Sequence, residues 1–230
     1  MDTPTYTDWE VSVAEGGFEV LSDGGISQVE VSEAVGLDQI SYEVGEYRGS
    51  MEVCMEWLRR CPNMYTMLRD RATGGIVAYC GMVPVASECY GRLRSGTLLD
   101  LDIPGDSVLD LDRAPRGLYR VYLLSVVVHP EYRGRGFAKA VLKAAFGRLA
   151  AGRAGGVFVG GMLAEAVSAE GEGLCRGLGM ECVGATVRGT ELYEVEWPGG
   201  FVMERDFSLD KGRGNGIIQT SATKKKDGEQ

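Results

Sequence analysis

The sequence predicts an α/β domain, and three features carry that prediction. Leu123–Val128 is an apolar run rich in β-branched residues and closed by Pro130, which suits a buried central strand. Just beyond it, Phe137, Ala138, Val141, Leu142, Ala145, Phe146 and Leu149 recur at helical spacing, with Lys139, Lys143 and Arg148 off that face. Elsewhere, short strand-like and helix-like stretches alternate, separated by glycine and proline.

Taken in order, residues 1–25 are acidic and weakly periodic, and read as a loosely held arm. Ile26–Val31 alternates apolar and polar residues, as a first, edge-like strand would. Residues 33–47 are ambiguous between a short helix and an acidic loop. Ser50 is a good N-cap for a helix whose apolar face is Met51, Cys54, Met55 and Leu58, ended by Pro62. Tyr65–Asp70 and Ile76–Val83 form a hairpin around Ala72–Gly75, and residues 87–95 suit a helical turn. Leu98–Ile103 is a short apolar-acidic segment, followed by a loop to Pro115 and the long strand Gly117–Val128. Past the central helix, Gly152–Gly156 breaks the chain before a buried strand, Val157–Leu163. Ser168 can cap a glycine-weakened helix over 169–178, and Met180–Val187 with Glu191–Trp197 make a closing hairpin. The domain is expected over 26–200. Residues 201–230 read as a polar, disordered tail, of which Phe201–Phe207 could add one short strand.

Composition limits the function classes. The 230 residues suit one domain with tails, and 44% apolar content supplies a full core. No apolar run approaches the roughly eighteen residues that span a bilayer, and the acidic N-terminus lacks the basic start of a secretory signal. A cytoplasmic protein without membrane contact is expected. Six scattered cysteines with no C-x-x-C pair read as free thiols, and with one histidine no metal site is expected. Residues 1–47 hold eleven acidic residues and no Lys or Arg, against a net charge of −9 for the whole chain. That asymmetry argues against nucleic-acid binding through this region. It is compatible with drawing in a cationic acceptor, or with a plain solvated arm.

The informative stretch joins the central strand to the helix: Arg133-Gly134-Arg135-Gly136-Phe137-Ala138. The first amides of a helix have no internal partner and carry the positive end of its dipole, so a phosphate binds there. Gly134 and Gly136 let the backbone approach an anion, and Arg133 and Arg135 add mobile positive charge. The pattern is neither G-x-G-x-x-G nor the Walker loop. It fits [Q/R]-x-x-G-x-[G/A] with Arg133, Gly136 and Ala138 in the defined places, after a strand ending His129-Pro130. This resembles the acyl-CoA-binding motif of the GCN5-related N-acetyltransferases, the GNAT superfamily.

That resemblance implies a mixed, mostly antiparallel sheet of six to seven strands, helices on both faces, and central strands splayed into a cofactor cleft. It implies acetyl-CoA as the cofactor. Main-chain groups of the Val126-Val127-Val128 segment, those of Val126 and Val128 in particular, would pair with the pantetheine arm, and the amides of Arg133, Gly134, Arg135, Gly136, Phe137 and Ala138 would hold the diphosphate. The family's later pattern N-x-x-A-x-x-L-Y-x-x-x-G-[FM] falls on Ser168–Met180, with Leu174, Gly179 and Met180 matching, Gly171 in place of Ala, and Ser168 in place of Asn and, by the resemblance, a further cofactor-binding residue. The family's tyrosine, the acid for the leaving thiolate, is replaced by Cys175, either a proton donor or a packing residue. Asp100 and Asp102 precede the long strand. If extended, they share one face and supply a general base, or are a solvated acidic pair. His129 reads as structural, at the strand end.

The resemblance implies an N-acetyltransferase acting on an amine of a small molecule, or on a protein lysine or N-terminus. The alternative is a weakly active or inactive CoA-sensing module on the same fold. Partners are acyl-CoA and the amine acceptor, without nucleic acid or membrane, in a monomer or homodimer.

Overall fold

The computed structural model describes residues 16–22, 24–42, 50–151 and 155–201. A seven-stranded sheet runs through them in the order β1-β2-β3-β4-β5-β7-β6. The strands are β1 (Phe18–Leu21), β2 (Tyr65–Asp70), β3 (Ile76–Val85), β4 (Gly117–Val128), β5 (Val157–Ala166), β6 (Glu181–Ala185) and β7 (Glu191–Glu196). Every pairing is antiparallel except β4 with β5. The helices are α1 (Gln28–Ser41), α2 (Met51–Arg60), α3 (Ser87–Arg94), α4 (Phe137–Ala151) and α5 (Ala169–Gly177).

The sheet separates two cores. On one face, Val31 and Leu37 of α1, Trp57 and Leu58 of α2, and Tyr90 and Leu93 of α3 pack with Tyr79, Tyr122 and Leu163. On the other, Val141, Leu142 and Phe146 of α4 and Cys175 of α5 pack with Leu68, Val121, Met162 and Tyr193. Helices therefore cover both faces of a mixed sheet, the expected fold class.

Two expectations near the N-terminus are overturned. Ile26–Val31 is not a strand. Ser27 caps α1, with its hydroxyl accepting from the Val29 amide while the Glu30 carboxylate accepts from the Ser27 amide at 2.8 Å. That reciprocal pair was visible as Ser-x-x-Glu. The alternation misled because Val29 is 64% exposed, so the apparent apolar stripe is not the buried one. The true face is Val31, Ala34, Leu37 and Asp38. The arm also contributes structure: Phe18–Leu21 pairs with Asp70–Met67 as an outer strand. The rest of that arm, residues 1–15, lies outside the described residues, as do 43–49 of the ambiguous stretch. Phe201 is buried against Phe146 and Trp197 but joins no strand, and 202–230 are not described. All six cysteines are unpaired thiols, and among the described residues no helix is long and apolar enough to cross a membrane.

Candidate active site

The site begins at an irregularity in β4. Against β3, Gly81 pairs with Ser125 but Met82 pairs with Leu123, so Leu124 is an extra residue. Such a bulge bends its strand and ends local pairing. Gly81 allows it: a Cβ there would lie 3.3 Å from the Tyr65 ring and 3.4 Å from the Ser125 hydroxyl. Pairing of β4 with β5 stops at the same place, at Leu123 with Ala164, and β5 ends at Ala166. The parallel strands therefore part, and among the described residues no strand pairs with one edge of residues 124–128.

Main-chain polarity follows from the pairing. The His129 amide donates to the Val77 carbonyl at 2.9 Å. Hydrogen bonding alternates along an antiparallel pair, so Val127 directs its main chain at Tyr79, while Val126 and Val128 direct theirs to the uncovered edge. Of the three valines, Val126 and Val128 reach the cleft, and Val127 is turned toward β3 with its side chain buried.

The edge leads directly into the glycine loop. Pro130–Tyr132 makes one 3₁₀ turn, with His129 Nδ1 accepting from the Glu131 amide at 3.3 Å, so this histidine shapes the strand end. Gly134 and Gly136 have φ of +75° and +84° with nothing within 4 Å of a notional Cβ. Glycine is needed there for backbone handedness, and the space above both is open. The Gly136 carbonyl accepts the Ala140 amide at 3.0 Å and so starts α4. The amides of 134–138 have no partner among the described residues, and Arg133, Gly134, Arg135 and Gly136 are exposed. Phe137 turns its ring into the core and Ala138 is half-buried, so these two offer the loop only their amides. Arg133 Nε lies 3.4 Å from the Val128 carbonyl, and Arg135 sits 4.9 Å over the Tyr132 ring. Beneath the loop, Phe18 of β1 packs edge-on against Tyr132 and Phe137.

The remaining candidates are distributed differently from expectation. Asp100–Asp102 is a 3₁₀ turn rather than an extended segment, so the two carboxylates do not share a face. Asp102 is exposed, whereas Asp100 is half-buried and its carboxyl is pushed up to about 6, first by burial and then by the nearby Glu165 charge. Glu165, near the end of β5, has its Oε1 held by the hydroxyls of Thr186 and Thr190. Sequence reasoning missed Glu165. Its signal was an acid inside the otherwise apolar run Val157–Ala166. Tyr122 of β4 lies within the field of Asp100, Glu165, Arg188 and Cys175. Its residue is 1% exposed. Cys175 is 3% exposed, and burial pushes its thiol up to about 11. Ser168 is exposed and caps α5, with Oγ accepting from the Gly171 amide at 3.1 Å.

A strand edge without a neighbour, running into a row of free amides, offers the kind of main-chain groups that pair with an extended amide-bearing arm and with a diphosphate. No side chain stands over either glycine of the loop. A model of the acetyltransferase (GNAT) family matches residues 37–162. No curated protein matches the chain in sequence. Among solved structures, the loading GNATL domain of CurA from Lyngbya majuscula superposes with a TM-score of 0.57 at 10% identity, over 78% of this chain and 97% of that one. The GNAT-like decarboxylase GphF in complex with isobutyryl-CoA gives 0.55 at 12% identity, over 78% and 99%. The NatC complex bound to Gag peptide and CoA gives 0.52 at 14% identity, over 79% and 98%. At such identities the likeness is one of fold.

Proposed function

The chain belongs to the acetyltransferase (GNAT) family, and from that membership we propose that it is an acyl-CoA-dependent N-acyltransferase, with acetyl-CoA as donor and an amine as acceptor. The observation that carries this reading is the continuity between the free edge at Val126 and Val128 and the open amides of 134–138. Both halves of a CoA-shaped ligand are answered in one line. Acyl-CoA supplies the activated thioester. The chain's own residues bind the pantetheine amides, hold the diphosphate and receive a proton. Across the reaction the thioester C–S bond gives way to an amide C–N bond, and the displaced sulfur is protonated to the thiol. Asp100, half-buried and with its carboxyl pushed up to about 6, is the base for the amine. Bound isobutyryl-CoA in GphF and CoA in the NatC complex support the ligand class on this fold.

One observation favours a second reading, a CoA-responsive module with little turnover. The family's acidic tyrosine falls on Cys175, whose thiol is buried and raised to about 11, a poor match for proton donation near pH 7. Calorimetric titration with acetyl-CoA, followed by chromatographic detection of free CoA across an amine panel, tests both. Binding with turnover supports the transferase. Binding without turnover on any amine moves the assignment to the module. Arg133→Glu places an anion at the diphosphate and should abolish binding, and unchanged affinity would remove the loop from the site.

A further inference from the structure

The residues on either side of the Arg133–Gly136 span, Tyr132 before it and Phe137 after it, meet on one side chain of the N-terminal strand. The Phe18 ring of β1 lies 4.6 Å from the Phe137 ring and 6.1 Å from the Tyr132 ring, edge-on to both. Tyr132 and Phe137 stack on each other at 6.1 Å, so the three rings close a triangle under the loop. Register brings Phe18 there. It stands opposite Asp70, and the neighbouring Arg71 amide donates to the Gly17 carbonyl at 2.9 Å. Phe18 and Asp70 are therefore a pair without mutual main-chain hydrogen bonds, the kind whose side chains sit closer. Asp70 accepts from the Tyr132 hydroxyl at 2.7 Å, so the cross-strand partner of Phe18 holds the ring on which Phe18 packs.

A loop with glycines at φ +75° and +84° has much conformational freedom to lose when it closes on an anion. Fixing both of its ends beforehand removes part of that loss from the binding step. The fixing element is itself lightly held. β1 lies at the margin of the sheet, pairs with β2 alone, and has no fully buried side chain. A short outer strand of this kind opens locally at low free-energy cost. We propose that Phe18 is a positioning residue for the donor: β1 docked on β2 sets the amides of 134–138 for the diphosphate, and β1 lifted away leaves them unfixed and weakly binding. This rests on the acyl-CoA reading of the loop. Linkage makes the relation reciprocal, so the factor by which docking of β1 tightens CoA is the factor by which CoA favours docking of β1. The N-terminal strand is thereby the handle that sets donor affinity from outside the cleft.

The test is calorimetric titration of CoA into the full-length protein and into Phe18→Ala, Phe18→Leu, Glu19→Pro and Leu37→Ala, with amide exchange followed by mass spectrometry with and without saturating CoA. Phe18→Ala should weaken CoA about tenfold, and Phe18→Leu, which restores bulk without the ring, should recover part of the loss. Glu19→Pro keeps Phe18 but removes the amide that the register directs at Arg69, and should weaken CoA by a similar factor. Leu37→Ala empties a place in the other core, so it should lower the urea midpoint and leave CoA affinity at the parent's value. That contrast separates positioning from general loss of stability. In the parent, saturating CoA should slow exchange of the β1 amides, and in Phe18→Ala this protection should vanish. Parent-like affinity in Phe18→Ala, equal weakening in Leu37→Ala, or β1 exchange that ignores bound CoA would each overturn the proposal while the donor reading stands. Absence of CoA binding by the parent would overturn the donor reading and the proposal with it.

Discussion

The Tyr132 hydroxyl donates to Asp70 Oδ2 at 2.7 Å, tying the turn ahead of the glycine loop to the end of β2. Asp70 also accepts from the Ala72 amide, and the Tyr132 hydrogen bond is the first cause holding its carboxyl below the usual range. The same ring carries Arg135 on one side and touches Phe18, His129 and Phe137 on others. Tyr132→Phe should keep the packing and lose the tie. Acetyl-CoA affinity is expected to fall about three- to tenfold, with Tm nearly unchanged, since one hydrogen bond near solvent is lost and the ring contacts stay. An affinity equal to the parent's would show that the tie does not position the loop.

The α1 cap predicts a particular acid response. Glu30 is drawn down to about 2, first by the Ser27 hydroxyl and, after a burial effect of opposite sign, by Arg69 at 2.7 Å. A depressed carboxyl stabilises the fold above its unfolded value of 4.5 and loses that contribution as pH falls toward 2. Urea midpoints measured from pH 5 to pH 2 should therefore fall less steeply in Glu30→Gln than in the parent. Ser27→Ala should remove about 1 kcal/mol at neutral pH.

Asp100 carries the opposite sign. Its folded value, about 6, lies above the ordinary 3.8, so the folded state holds the proton more tightly and stability declines as pH rises from 3.8 to 6. Asp100→Asn should thus be more stable than the parent at pH 7, by up to about 3 kcal/mol, while turnover drops about 10²- to 10⁴-fold. Denaturation curves and rates on the same sample check both. A variant that is less stable and fully active would remove Asp100 from the site.

Cys175 belongs to the core shared with α4. Cys175→Ala should lose about 1–2 kcal/mol of stability from the lost packing and leave the kcat pH profile unchanged. Five of the six thiols are buried, so a native thiol titration should react quickly at Cys182 alone and at all six only on unfolding. A shifted basic limb in Cys175→Ala would instead make this thiol a proton donor.

From Ser50 to Trp197 the sequence pattern is local and explicit, which is why its helices and strands are readable. The cap at Ser50, the helix-ending Pro62, the hairpin glycines and the run into Arg133-Gly134-Arg135-Gly136 each act on their own neighbours. The front of the chain is not like this. The buried stripe of α1 includes Asp38, which accepts from the Tyr79 hydroxyl across the core, so a polar residue occupies an apolar place. Ile40 and Val29 meanwhile face solvent, at 55% and 64% exposure. Phe18–Leu21 is too short to announce itself and is fixed by its partner β2. Glu165 was hidden for a related reason. Its partners Thr186 and Thr190 lie between β6 and β7, and no spacing along the chain encodes that meeting. Asp102 looked equivalent to Asp100 because a tight turn was read as a straight one.

The stretch 124–128 that parts from β5 has one further effect. It is a sheet margin laid open inside the molecule, and any extended peptide offers the same complement that a slender ligand would. Ligand-free protein should therefore self-associate during storage or heating, and saturation with the donor should suppress this by closing the seam.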